Sequence, residues 1–398
     1  MNPPPFRTMN DPNAERSERL ERSERVVNED KSSRYHRLQR RASIASTVLT
    51  LVLLIAFVVS GASAGLRDYA VSLTGASFVP SLVMYVVLLA LLNEAIGLPF
   101  AFYQGVVLER RYGLLTQTTA RWFLDHFKAG LVGLVFVLIA ALIVCTLIRW
   151  QPERWWLLAA AVFTVILVGL VQLTPVLLLP LFYEFKPLDR QALVDRLVAL
   201  AERAGARVMG VFEWRLSDKT KKANAALTGI GQTRRIIISD TLLAEHSDDE
   251  IEVILAHELA HHVHRDIWRG IALEMILVTL GFYLADVALT RFAMSFQLTG
   301  KADVAALPLL LLAAGAVSLA LMPVANAFSR AHERRADRYA LEMTRNVPAF
   351  VSAMKRLGAQ NLAEEHPSRL VQILFYTHPP ISARINAAQA WAKSGQRA

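Results

Sequence analysis

The chain has 398 residues, 54% of them hydrophobic and 19% charged, with a mean hydropathy of +0.34. Soluble domains carry nearer ~25% charged residues, so these figures argue against an ordinary cytosolic enzyme, and they exclude disorder over the whole chain. A net charge of +9 in so apolar a chain points to basic loops beside a membrane and away from nucleic acid; the single cysteine, Cys145, excludes an intramolecular disulfide and reads as a small buried hydrophobe.

Residues 1–43 form a charged segment, expected to be a flexible cytoplasmic tail. Within it Glu15 to Arg25 reads ERSERLERSER, in which Glu and Arg four apart can support a helix. The segment is too long and too acidic for the start of a signal peptide, so no cleavage is expected. Six apolar stretches follow, at about 44–65, 79–104, 130–149, 155–182, 268–290 and 305–327. Each approaches or exceeds the ~20 residues that cross a ~30 Å hydrocarbon core. Residues 44–182 therefore hold four transmembrane helices and 268–327 two more. Between them lies a polar segment, 183–267, and after them a polar C-terminal region, 328–398. The tail holds ten Lys and Arg, and the second loop holds Arg110, Arg111, Arg121 and Lys128. The alternate loops are poorer in basic residues, so the positive-inside rule puts the N-terminus, segment 183–267 and the C-terminus in the cytoplasm. Asn93, Glu94, Glu274 and Asp286 interrupt the spans, and either line a wet chamber or pair between helices.

Segment 183–267 reads as a small α+β unit. Leu193, Leu197 and Leu200 give residues 188–204 one apolar helical face, closed by Gly205. Arg207–Trp214, Asn224–Ile230 and Arg234–Ser239 read as strands. Ser247 and Glu250 form a capping box at the head of a long helix running to about Arg265.

That helix carries His257-Glu258-Leu259-Ala260-His261, the HExxH pattern. Histidines at i and i+4 share one helical face and can offer two imidazoles to one metal. Glu258 projects beside them, where it can take a proton from water. Two histidines are too few ligands. Position 264 is His and position 267 is Ile, which excludes the HExxHxxGxxH arrangement. A third ligand is sought in Ser329–Asp337, just beyond the sixth span, where Glu333 and Asp337 are i and i+4. One carboxylate can bind metal and the other orient an imidazole, with His332 a competitor. His262 points elsewhere on the helix, and His264, a turn too far along, reads as structural.

Taken together, these features resemble the CAAX prenyl endopeptidases, integral membrane zinc metalloproteases. Pro99 to Gln117 (PFAFYQGVVLERRYGLLTQ), Leu177 to Pro187 (LLLPLFYEFKP), Ala223 to Gly231 (ANAALTGIG) and Ile236 to Leu243 (IIISDTLL) are similar to that family's segments. So are SRxxExxAD at Ser329–Asp337 and His378-Pro379-Pro380 with Arg384. The eukaryotic type has seven spans against the six counted here. The resemblance implies one Zn2+ per chain, held by His257, His261 and Glu333. It implies that Glu258 is the general base and Asp337 an orienting or proton-donating carboxylate. Asn224 and Ala225 would hold substrate by strand addition, and His378 and Arg384 would lie near the oxyanion or the substrate. The partners implied are the lipid bilayer and a peptide or protein substrate, lipidated or membrane-bound.

The sequence thus predicts a polytopic α-helical membrane protein with a small α+β zinc-metallopeptidase domain. Its rivals are a quality-control protease using the same site, a catalytically silent scaffold, and an intramembrane protease. The polar flanks of the HExxH helix, Ser247–Glu252 and Arg265-Asp266, argue against the last.

Overall fold

The computed structural model describes residues 12–229 and 234–395. The chain opens with α1 (Pro12–Val59), α2 (Ala62–Thr74) and α3 (Phe78–Phe102), which runs through a π-turn at Tyr103–Leu108 into the short α4 (Glu109–Arg111). Next come α5 (Thr119–Trp150) and α6 (Trp155–Leu173), the latter extended by tight turns to Leu181. Among the described residues six helices are long and apolar enough to cross a membrane: Lys31–Val59, Phe78–Arg111, Thr119–Trp150, Trp155–Leu181, Asp266–Phe292 and Val304–Thr344. Many of their side chains, such as Val135, Val165 and Ile276, are more than half exposed, as bilayer-facing residues would be.

Polar residues stitch these helices together on the side away from the α+β unit. Asp286 accepts from Trp155 Nε1 (2.6 Å) and Lys301 Nζ (2.8 Å), so this span carboxylate is an interhelical partner. Arg67 pairs with the buried Asp303, and Ser63 Oγ donates to the carbonyl of Ala305 (2.7 Å). At the opposite end of the spans Glu94 stands 2.7 Å from His126 Nε2, next to Asp125, which pairs with Lys219 of the α+β unit.

The α+β unit is built from two stretches of chain. The first holds β1 (Phe185–Pro187), α7 (Gln191–Arg203), β2 (Val211–Trp214), β3 (Ala225–Thr228), β4 (Arg235–Ser239), α8 (Asp240–Glu245) and α9 (Asp248–Val263). The sheet order is β1-β2-β4-β3; β2 and β4 are parallel and the other pairs antiparallel. Membrane helix α10 (Asp266–Phe292) follows, and then α11 (Leu307–Thr344), one unbroken helix from the membrane into the α+β unit. The second stretch is the end of α11 with α12 (Val347–Gln360), α13 (Arg369–Phe375) and α14 (Ile381–Gly395). Leu193, Leu197 and Leu200 of α7, Ile236 and Ile238 of β4, Leu255 and Leu259 of α9 and Phe350 of α12 share one core. Residues 183–267 therefore do not close a core alone; the C-terminal helices cover the second face of α9.

Two expectations need revision. Residues 31–43, read as flexible tail, continue the first membrane helix as ordered α-helix. Tyr35 is buried there, hydrogen-bonded to Glu109, and Lys222 Nζ bonds both (3.1 and 2.8 Å); Arg40 pairs with Glu364 at 2.6 Å. Residues 1–11 lie outside the described residues. The strand expected from Arg207 begins only at Val211, because Gly210 takes a positive φ just before it. The three-residue β1 was not anticipated, and the expected strand end at Ile230 lies outside the described residues.

Candidate active site

Helix α9 is positioned from both ends. Ser247 Oγ accepts from the Glu250 amide (3.3 Å) while the Glu250 carboxylate accepts from the Ser247 amide (2.8 Å). Three acidic residues in the first turn suit the positive end of the helix dipole. The helix ends at His264, and Arg265 takes a left-handed conformation (φ 56°, ψ 37°) that turns the chain into α10. Burial of Ile251, Leu255 and Leu259 fixes the rotation of α9, and with it the direction of His257 and His261.

One turn apart, these histidines face Glu333 of α11. His257 Nε2 is 3.2 Å from Glu333 Oε2 and His261 Nε2 is 3.5 Å from Glu333 Oε1. One donor atom from each of the three residues lies within 4.8 Å of the other two. Glu333 Oε2 is fully buried and makes no well-directed hydrogen bond, so its pocket keeps water from this oxygen. Such an orphaned oxygen between two imidazoles fits a cation, and two His and one Glu are the donor set of an open catalytic zinc site. The sequence had left Glu333, Asp337 and His332 as rivals. Glu333 is the one that meets both imidazoles.

Asp337, a turn further along α11, reaches the other nitrogen of His257, with Oδ1 3.0 Å from Nδ1. Arg384 of α14 donates to it through Nε (2.8 Å) and Nη2, and Nη2 is 3.4 Å from His257 Nδ1. Arg384, which the resemblance puts near the oxyanion or the substrate, is buried, with two of its three guanidinium nitrogens on Asp337. Burial alone would lower the pKa of His257, but the carboxylates of Asp337 and Glu333 beside its two nitrogens outweigh this and push it up to about 9. Glu258 points into the same cleft. Desolvation raises its carboxyl above the usual range, against the lowering effect of His257 and His261.

His378 comes to the site from the loop before α14; its side chain is largely exposed, with Nε2 3.3 Å from Glu333 Oε1. His332 does not join the ligands: its ring packs on Phe328 and its Nδ1 lies 3.7 Å from Asp266. His264 Nδ1 is 2.8 Å from the Ala260 carbonyl, as a structural histidine should be. Sequence reasoning missed Asp266, whose Oδ2 is 3.1 Å from His261 Nδ1, and its partner Arg335.

Strand β3 is an edge of the sheet beside α9. The Ser239 amide donates to Asn224 O (2.9 Å), and the Asn224 amide donates to Ser239 Oγ (2.9 Å). In an antiparallel ladder the hydrogen-bonded pairs alternate, so Ala226 and Thr228 also bond inward, while Ala225 and Leu227 turn N–H and C=O outward. Asn224 thus spends its backbone on β4 and keeps an exposed side chain. The loop after α4 docks on the segment leading into β3: Leu115 and Thr220 form a β-bridge, and the Lys221 amide donates to Leu114 O (2.9 Å).

Comparison with known proteins agrees with this architecture. Residues 187–392 match the family model for peptidase family M48, and residues 18–184 match the one described as CAAX prenyl protease N-terminal, five membrane helices. An uncharacterized metalloprotease of Bacillus subtilis, YhfN, is 34% identical over 311 residues, 77% of this chain and 72% of that protein. CAAX prenyl protease 1 of Saccharomyces cerevisiae is 26% identical over 75% of this chain and 70% of its own. The crystal structure of Ste24p from S. mikatae shares the fold, with a TM-score of 0.82 at 22% identity over 91% of this chain and 89% of that one.

Proposed function

Since this chain belongs to peptidase family M48 and is an integral membrane metalloendopeptidase, we propose that it cleaves peptide bonds at one zinc ion held by His257, His261 and Glu333. The observation that carries this reading is the meeting of two imidazoles with an orphaned, buried Glu333 oxygen. When bound, zinc would activate water and polarise the scissile carbonyl.

The remaining work falls to the chain's own residues. Glu258 takes the proton of the attacking water and passes it to the leaving amine; a carboxyl raised by burial suits both transfers. Asp337, steadied by Arg384, accepts from His257 Nδ1 and keeps Nε2 aimed at Glu333. His378 sits beside Glu333 with an exposed ring and can donate to the developing oxyanion. An extended substrate adds to β3 through the outward groups of Ala225 and Leu227, while the Asn224 side chain reaches it from the strand end.

The substrate class we infer is a peptide ending in a CAAX-type sequence and tethered to the bilayer by a lipid. Two relatives bear the CAAX prenyl protease name in yeasts, and the site here stands where α11 leaves the membrane. Positive-inside charge supports a cytoplasmic N-terminus, catalytic unit and C-terminus. Quality-control proteolysis and a silent scaffold are not favoured. Purified protein in detergent, given a farnesylated CAAX peptide and its unlipidated twin, should cleave the farnesylated one faster, and Glu258→Gln should abolish both reactions. Equal cleavage of the two peptides would remove the lipid from the reading. Normal cleavage by Glu258→Gln would remove Glu258 as the base.

A further inference from the structure

We propose that Asp266 is a positioning residue for the metal site. Backed by Arg335, it holds the His261 imidazole so that Nε2 faces Glu333. This inference rests on the zinc-site reading above.

Asp266 is the first residue of α10, where the left-handed Arg265 folds the chain back under the end of α9. Its buried carboxylate is shared. Oδ2 lies 3.1 Å from His261 Nδ1, and Oδ1 accepts from Arg335 Nη2 at 2.5 Å. Arg269 and His332 each approach Oδ1 at 3.7 Å. A carboxylate can only accept, so this contact requires the proton on Nδ1 and leaves the lone pair on Nε2. Nε2 is the nitrogen 3.5 Å from Glu333 Oε1. The arrangement repeats the one around His257, where Asp337 accepts from Nδ1 and Arg384 backs the carboxylate.

The consequence is mechanical as well as chemical. Asp266 begins a membrane helix, and Arg335 lies between Glu333 and Asp337 on α11. The orientation of the second imidazole is therefore set by the place where α10 leaves the catalytic unit and by the helix that supplies Glu333. A rival role is a helix-capping charge, since an acidic residue in the first turn of α10 suits the dipole. Capping would affect the stability of the metal-free protein and leave metal geometry alone.

Two readouts on the full-length protein in detergent separate these roles. Zinc affinity is measured by competition with a chelating dye, and the visible spectrum of the cobalt-substituted site reports ligand geometry. Asp266→Asn and Asp266→Ala should each weaken zinc binding about 10- to 100-fold and change the cobalt spectrum. Arg335→Gln should do the same to a smaller extent. Asp266→Asn, nearly identical in shape, carries the test if Asp266→Ala does not fold. Wild-type zinc affinity and cobalt spectrum in Asp266→Asn, with only a lower melting temperature of the metal-free protein, would overturn the proposal in favour of capping and leave the zinc site standing. A wild-type protein that binds no zinc, alone or in competition, would overturn the zinc-site reading and this inference with it.

Discussion

His257 and His261 leave the same helix one turn apart and meet the same glutamate, yet their surroundings differ. The His257 side chain is 9% exposed and braced by Asp337 and Arg384, which come from helices that share the catalytic core. The His261 side chain is 24% exposed and braced by Asp266 and Arg335, at the junction with the membrane helices. One half of the site is thus an extension of the core, and disturbing it should unfold as well as disarm the protein. The other half is an extension of the membrane scaffold, and disturbing it should loosen the metal while sparing the fold.

Glu333 serves both halves, so its loss should give the largest effect. Glu333→Ala should remove most bound metal and reduce peptide cleavage to background, at least ~10²-fold below wild type, in a steady-state assay. The two braces should then separate. Asp337→Ala leaves the Arg384 guanidinium buried and unpaired, a change that costs about 3–5 kcal/mol. Its melting temperature should fall well below that of Asp266→Ala, measured side by side in the same detergent. Equal losses would erase the distinction between the two halves.

Acidity should act mainly through the buried half. Without metal, His257 keeps its proton up to about pH 9 because of Asp337 and Glu333, whereas an unfolded histidine releases it near ~6.5. The stabilisation this charged histidine gives the metal-free protein is complete below pH ~6.5 and is lost as pH rises through about 9. Zinc requires the neutral imidazole, so metal affinity should run the opposite way, falling by up to about tenfold per unit as pH drops below 9. Chelator titrations at pH 6 and pH 8 test this; equal affinities would remove the His257 proton from the competition. The smallest effect is expected at the junction backbone. Arg265→Gly relieves a left-handed non-glycine residue but loosens the unfolded chain, so thermal denaturation should shift by no more than ~1 kcal/mol in either direction.

The same contrast explains what could be read from the residues alone. The HExxH helix was legible because its cap, its apolar face and its two histidines all follow one helical period. The six spans were legible because bilayer thickness imposes a length. Asp266 was not, because it reaches His261 across a chain reversal at Arg265, where no periodicity links the two. The ordering of residues 31–43 was equally hidden: it depends on Tyr35 meeting Glu109 and Lys222 from distant parts of the sequence. Arg384 was placed near the site by resemblance, but its attachment to Asp337 is a matter of packing between α11 and α14.

The most direct test of the account is the metal content of the full-length protein purified in detergent, wild type beside Glu333→Ala. The account predicts about one zinc per wild-type chain and far less in the mutant, because two histidines alone form an incomplete site. Full zinc retention by Glu333→Ala, or a carefully handled wild type with none, would contradict it.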